Sequence, residues 1–294
     1  MMKLPEFRKQ VKALSDEKKA QLIEEIFRRA DKQNKAMIEI LLEGIKSDQE
    51  LPPLKAVVPD LKAVDKDLKT IKDHLEIGYY LIRRSTRKRL KLKSKSAYQQ
   101  MVKAPIQDPD YDQAVEKMEL LFRYVCEMDQ LFSPSSNEFF TNLRTTRAGF
   151  FRTICAMTLA KGYTIEKLGS LLTTIFNTQI TVWGEWFIEM KVLESFLKNG
   201  DIRLDMLDYC QEQIQKTYAQ KEADPERTNA AYSLRQVCLY AMFFYILESY
   251  ESTPDDAKKQ IETVLQPNDA KLFLREILPE AEDYYEEAAQ WETI

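Results

Sequence analysis

The sequence predicts an all-α protein: a multi-helix bundle or irregular α-solenoid of about ten helices, with no sheet. Three observations predict it. Glycine is scarce, seven in 294 residues, whereas sheets joined by tight hairpins need many residues at positive φ. Apolar residues recur at three- and four-residue spacing along almost the whole chain. Helix-start residues (Ser, Thr, Asn, Asp) stand repeatedly ahead of those periodic stretches. With 44% hydrophobic and 31% charged residues, the composition is that of a folded globular chain, not a disordered one. No repeat of fixed length appears, and a tetratricopeptide period of about 34 residues is absent.

The first element is announced by Ser15, which precedes "DEKKAQLIEEIFRRA", where Leu22, Ile23, Ile26 and Phe27 share one helical face. Asn34 precedes a second helix carrying Met37, Ile38, Leu41 and Leu42. "ELPPLKAVVPD", residues 50–60, is a proline-punctuated connection. Beyond it, Leu61, Val64, Leu68, Ile71, Leu75, Tyr79 and Ile82 fall three or four apart. That is the narrow seam of one long amphipathic helix, about 60–92. Helix propensity drops at Ser94 and Ser96, so a basic arm or loop is expected there. Further breaks are expected at 102–112 and 133–137. Gly162 and Gly200 read as helix stops, with Thr164 and Asp201 each capping the next helix. "VCLYAMFFYIL", Val237 to Leu247, reads as a central core helix, because eleven apolar residues fall short of the ~20 that span a bilayer. "TPDD", residues 253–256, is a helix start with Thr253 as N-cap and Pro254 at the first helical position.

Charge is divided along the chain. The formal net charge is -4, but residues 1–103 hold 25 Lys or Arg against 15 Asp or Glu, a net of +10, and residues 104–294 carry −14. The change falls in a proline-containing loop. Two units are therefore expected: a basic N-terminal helical unit, 1–103, and an acidic multi-helix bundle, 104–294. The densest positive stretch is "RRSTRKRLKLKSKS", residues 83–96, with eight cations and no acid. Arg83, Arg84, Arg87, Lys88, Arg89, Lys91, Lys93 and Lys95 form a candidate basic interaction patch. Arg144 and Arg147 are its candidate extension. They sit in "FFTNLRTTRAGFFR" on a helical stripe with Phe140 and Phe151, where Arg stems can cover a core edge with their heads in water.

Conventional catalytic chemistry lacks its motifs. No glycine forms G-x-G and no Gly-Lys-Ser/Thr occurs, so phosphate cradles are absent. His74 is the single histidine and reads as a surface or seam-edge residue, so no triad is assigned. The cysteines Cys126, Cys155, Cys210 and Cys238 are far apart in sequence and read as small buried hydrophobes. "DPDYDQAVEKME" places Asp108, Asp110, Asp112 and Glu119 at calcium-loop positions, but Gln113 stands where that loop requires Gly. The segment reads as a helix start. Glu185 and Glu189, one turn apart near Trp183 and Trp186, are expected on a solvated face, with Glu189 paired to Lys191 or another surface cation. No catalytic, cofactor-binding or metal residue is assigned.

"MMKLPEFRKQ" lacks the apolar core of a secretion signal, and a cytoplasmic protein with no transmembrane segment is expected. The role expected is a non-enzymatic helical interaction or scaffold protein, binding a protein partner or a second copy of itself. The alternative is a nucleic-acid-associated protein contacting phosphates through residues 83–95. The acidic segment "PEAEDYYEEAAQWETI", residues 279–294, is the intrachain surface expected to meet that basic stretch.

Overall fold

The structure is a computed structural model. It describes residue 11 and residues 14–29, 59–77, 83–132, 138–223 and 229–291. All its regular structure is helical, and among the described residues there is no strand. The chain forms two compact units, Met1–Ala56 and Val57–Ile294, so the charge break near residue 103 falls inside the second. In the first unit, α1 (Asp16–Arg29) begins at Ser15, whose hydroxyl accepts the Lys18 amide at 3.4 Å. The second expected helix, over 34–45, lies outside the described residues.

The second unit opens on a helical hairpin. The seam expected to run as one helix is divided into α2 (Leu61–Ile77) and α3 (Arg84–Met101). Arg83 is extended (φ −67°, ψ 154°), which ends any continuous helix. Asp60 meets Gln100, Asp67 meets Lys93, and His74 meets Arg89. Those pairings run in opposite directions, so α3 folds back antiparallel on α2. Val64, Leu68, Ile71 and Leu75 are buried as the seam requires; Tyr79 and Ile82 lie outside the described residues. The arm expected after Leu92 is instead helix to Met101. Leu90, Ser94, Ala97 and Met101 form a buried stripe, and Ser94 satisfies its hydroxyl on the Leu90 carbonyl at 3.0 Å. Burial along one face overrides the weak propensity of the serines.

The hairpin packs on α4 (Tyr111–Phe132), which starts where "DPDYD" predicts a helix start. Asp108 accepts the Asp110 amide at 2.8 Å ahead of the first turn. The expected stripe over 139–152 is broken. Helix α5 (Glu138–Leu143) ends before Arg144, whose φ is +61°, and α6 (Arg147–Thr158) starts afresh behind the N-cap Thr146. Phe140 and Phe151 both enter the core, where Phe122, Phe140, Phe150 and Phe151 pack ring against ring. Each such buried ring contributes about 1.5–3 kcal/mol.

Thr164 caps α7 (Ile165–Phe176), as expected, and α8 (Trp183–Glu194) comes next. Gly200 does not stop a helix. It is the first residue of α9 (Gly200–Ala223), and Asn199 supplies the cap by accepting the Asp201 amide at 2.9 Å. Helix α10 (Ala230–Glu251) runs back along α9, and every residue from Val237 to Leu247 is buried. By length and composition α10 could cross a membrane; here α8, α9 and α11 (Pro254–Val264) pack against it. Thr253 caps α11 through the Asp256 amide at 3.2 Å, as "TPDD" predicts. After α12 (Pro267–Leu272), one wide π-turn (Phe273–Ile277) puts both Phe273 and Ile277 in the core. The last helix, α13 (Leu278–Trp291), packs along α8. The four cysteines are all buried and free.

Candidate functional site

The basic stretch is sorted by its helix into two sides. On the side facing the protein, Lys93 Nζ meets Asp67 at 2.5 Å, and Lys91 pairs with Glu138 and sits 5.6 Å above the Phe139 ring. Arg87 donates to the Phe132 carbonyl at 3.3 Å. Arg89 lies 2.9 Å from His74 Nε2, while His74 Nδ1 lies 2.7 Å from the Thr70 carbonyl. A carbonyl only accepts, so Nδ1 carries the proton and Nε2 accepts from Arg89. His74 thus belongs to the hairpin seam.

On the side facing solvent, Arg83, Arg84, Lys88 and Lys95 have no ion-pair partner among the described residues. Leu92 lies at the middle of this face and is 59% exposed. Val102 and Ile106 extend the exposed apolar surface past the helix end, beside exposed Lys103. Helix α3 contains no acid. Tyr98, the aromatic nearest the run, turns inward, its ring 4.7 Å from Phe150 and its hydroxyl 3.3 Å from Thr153. The cations do not meet the C-terminal acids in any described ion pair. Glu280 instead accepts the Trp183 amide at 3.1 Å and Glu282 the Tyr245 hydroxyl at 2.7 Å.

Arg144 is exposed, but Arg147 turns inward. Its Nε donates to Glu189 Oε1 at 2.6 Å, and its Nη1 donates to Glu185 Oε2 at 2.8 Å. Its Nη2 donates to Thr178 Oγ1 at 3.0 Å. That hydroxyl also accepts Trp186 Nε1 at 3.2 Å and donates to the Ile175 carbonyl at 2.6 Å. Arg235 closes the cluster. It donates to the Thr178 carbonyl at 2.8 Å and lies 4.6 Å above the Trp186 ring. Glu189 is therefore not on a solvated face and does not pair with Lys191: it is 0% exposed, and its Oε2 has no hydrogen-bond partner.

One arginine faces two carboxylates here, leaving one buried negative charge uncompensated. Burial pushes the Glu189 carboxyl up to about 7, against the pull of Arg147. Burial works against the Arg147 cation, but Cys126, Glu189 and Glu185 together hold its proton affinity above the ordinary arginine range, so it stays charged. The cation also sits at the first position of α6, the positive end of that helix, where the two acids offset an unfavourable placement. Sequence reading found the Glu pair and Arg147 separately but not their meeting, since 38 and 42 residues separate them. Thr178 and Arg235 carried no signal at all. Among the described residues no cluster of His, Cys, Asp and Glu could hold a metal ion.

No known protein family, curated protein or solved structure matches this chain.

Proposed function

We propose that this chain is a helical interaction protein whose recognition surface is the outer face of α3, and that its partner is a protein presenting an acidic, amphipathic surface. The observation carrying this reading is the division of the basic stretch. Lys93 is committed to the hairpin and Lys91 to α5, while Arg84, Lys88 and Lys95 form one flank beside exposed Leu92, without any acid on the helix. An apolar centre with a cationic rim matches the anatomy of protein contacts, in which burial gives affinity and rim charges give orientation. A phosphate backbone would neutralise the cations but offers Leu92 nothing. The inward turn of Tyr98 takes that ring away from any single-stranded nucleic acid that would stack on this face. A net charge of -4 adds no general attraction for a polyanion.

The test measures fluorescence anisotropy with two probes, a Glu/Leu-rich amphipathic peptide and a duplex DNA, each titrated across a salt series. The peptide is expected to bind, and Arg84→Glu/Lys88→Glu/Lys95→Glu to weaken it by about tenfold or more. Leu92→Ala is expected to weaken it severalfold. If duplex DNA binds more tightly, with a salt slope that falls in the triple variant and no response to Leu92→Ala, the partner is nucleic acid and the proposal fails. Binding of neither probe also rejects it.

A further inference from the structure

A second feature lies on the far helices and is independent of α3. Helices α8, α10 and α13 enclose a cleft of about 250 Å³, with Pro254 at its rim. This is below the ~300–1,000 Å³ of sites for drug-sized ligands, so its occupant is small. Phe187 and Tyr285 form an aromatic wall, their rings edge to face at 5.6 Å. Glu282 and Glu286, one turn apart on α13, supply the carboxylates. Glu282 is fixed by the Tyr245 hydroxyl at 2.7 Å, whereas Glu286 is exposed and has no ion-pair partner among the described residues. The Ser249 hydroxyl, also on the lining, is buried beside the Tyr245 hydroxyl, with which it interacts.

The sign of the charge decides the ligand. Lys191 lines the cleft too, but its ammonium is offset by Glu194 at 3.8 Å. Helix α13 carries Glu280, Glu282, Asp283, Glu286 and Glu287 and no base. Asp255 adds its field from the start of α11: burial, then Glu282, and last Asp255 raise the Tyr245 hydroxyl above the ordinary phenol range, against the hydrogen bond of Ser249. The field over the aromatic wall is negative, and aromatic faces themselves attract cations.

We propose that this cleft binds a small organic cation, an ammonium group on an apolar stem. The stem lies against Phe187 and Tyr285, and the ammonium lies between Glu282 and Glu286. Such a group has two sources, a free amine or the lysine side chain of another protein, and one experiment separates them.

The full chain is titrated calorimetrically with 2-phenylethylamine and with Nα-acetyl-lysine methylamide. The controls are 2-phenylethanol and 3-phenylpropionate, which keep the stem and lose or reverse the charge. At least one amine is expected to bind about tenfold more tightly than both controls. Glu286→Gln, on an exposed residue, and Glu282→Gln are each expected to weaken it severalfold. Tighter 2-phenylethylamine assigns a free amine; tighter capped lysine assigns a side chain. Equal binding of amine and alcohol would reduce the cleft to an apolar surface and overturn the proposal. Tighter binding of the carboxylate, through Lys191, would overturn it too, as would silence of both amines or indifference of both glutamine variants.

Discussion

The outer face of α3 and the Arg147 cluster spend the same charged groups in opposite ways. On α3, exposed Arg84 and Lys88 and half-buried Lys95 have no ion-pair partner among the described residues. At α6, a single guanidinium is drawn inside and shared between Glu185 and Glu189. Water stabilises the first group without help, so its charges are free to meet a partner. The second group is largely removed from water, and its buried member, Glu189, depends on Arg147. Density of charge along the chain therefore predicts little about cost. What matters is whether each ion has a substitute for water.

The comparison breaks most readily at Arg147. Arg147→Met keeps the volume of the stem but leaves two carboxylates facing each other, one of them fully buried. A loss of about 3–5 kcal/mol is expected, read as a lower urea midpoint with an unchanged slope. Adding Glu189→Gln to that variant removes one stranded charge and is expected to restore part of the loss. A cost for Arg147→Met no larger than that of a surface substitution would show that the cluster is hydrated after all, and the contrast with α3 would disappear.

A smaller effect arises from the uncompensated charge. Glu189 has its carboxyl raised from 4.5 to about 7. Between those two values the folded chain holds a proton that the unfolded chain has released. Stability from this group is therefore full below about pH 4.5 and falls as pH rises toward 7. The expected change is on the order of a few kcal/mol. Glu119, Glu127, Asp129 and Glu248 are also raised by burial and slope the same way. The informative quantity is thus the difference between the parent chain and Glu189→Gln, in unfolding free energies measured from pH 4.5 to 8. Glu189→Gln is expected to flatten the curve. Parallel curves would mean that Glu189 stays ionised throughout.

Much of this architecture is legible in residue order because it depends on local rules. Thr253 and Pro254 start α11, Val64 to Leu75 mark a buried seam, and Val237 to Leu247 mark a core helix, each within one element. The failures share a different cause. The break at Arg83 is hidden because the seam keeps its period up to Ile82 and the fold-back is rewarded by packing of α3 on α2 and α4, contacts remote in sequence. "KLKSKS" looks like an arm until Ser94 and Ala97 find a buried stripe beside α2. Glu189 reads as solvated because the arginine that pairs with it lies 42 residues earlier. The cleft draws Phe187, Tyr245, Ser249 and Glu282 from three helices, none of them carrying a motif.

The smallest effect separates the two sides of α3 itself. Lys93 and Lys88 are near neighbours on the same basic stretch, and composition treats them alike. Lys93 is held against Asp67, with side chains only 24% and 15% exposed. Removing it leaves a mostly covered carboxylate and weakens the hairpin contact, so Lys93→Ala should cost about 1 kcal/mol, the upper end for ion pairs near a surface. Lys88 is exposed and has no ion-pair partner among the described residues, so Lys88→Ala should stay within ~0.5 kcal/mol of the parent. The order should invert in binding: Lys88→Ala weakens the acidic peptide, and Lys93→Ala leaves its affinity nearly unchanged at temperatures where the chain is folded. High salt should shrink the Lys88 effect more than the Lys93 effect, because exposed charges are screened over ~8 Å at physiological ionic strength and covered ones much less. Equal costs in both assays would mean that the helix does not sort its cations, and the proposed recognition face would lose its boundary.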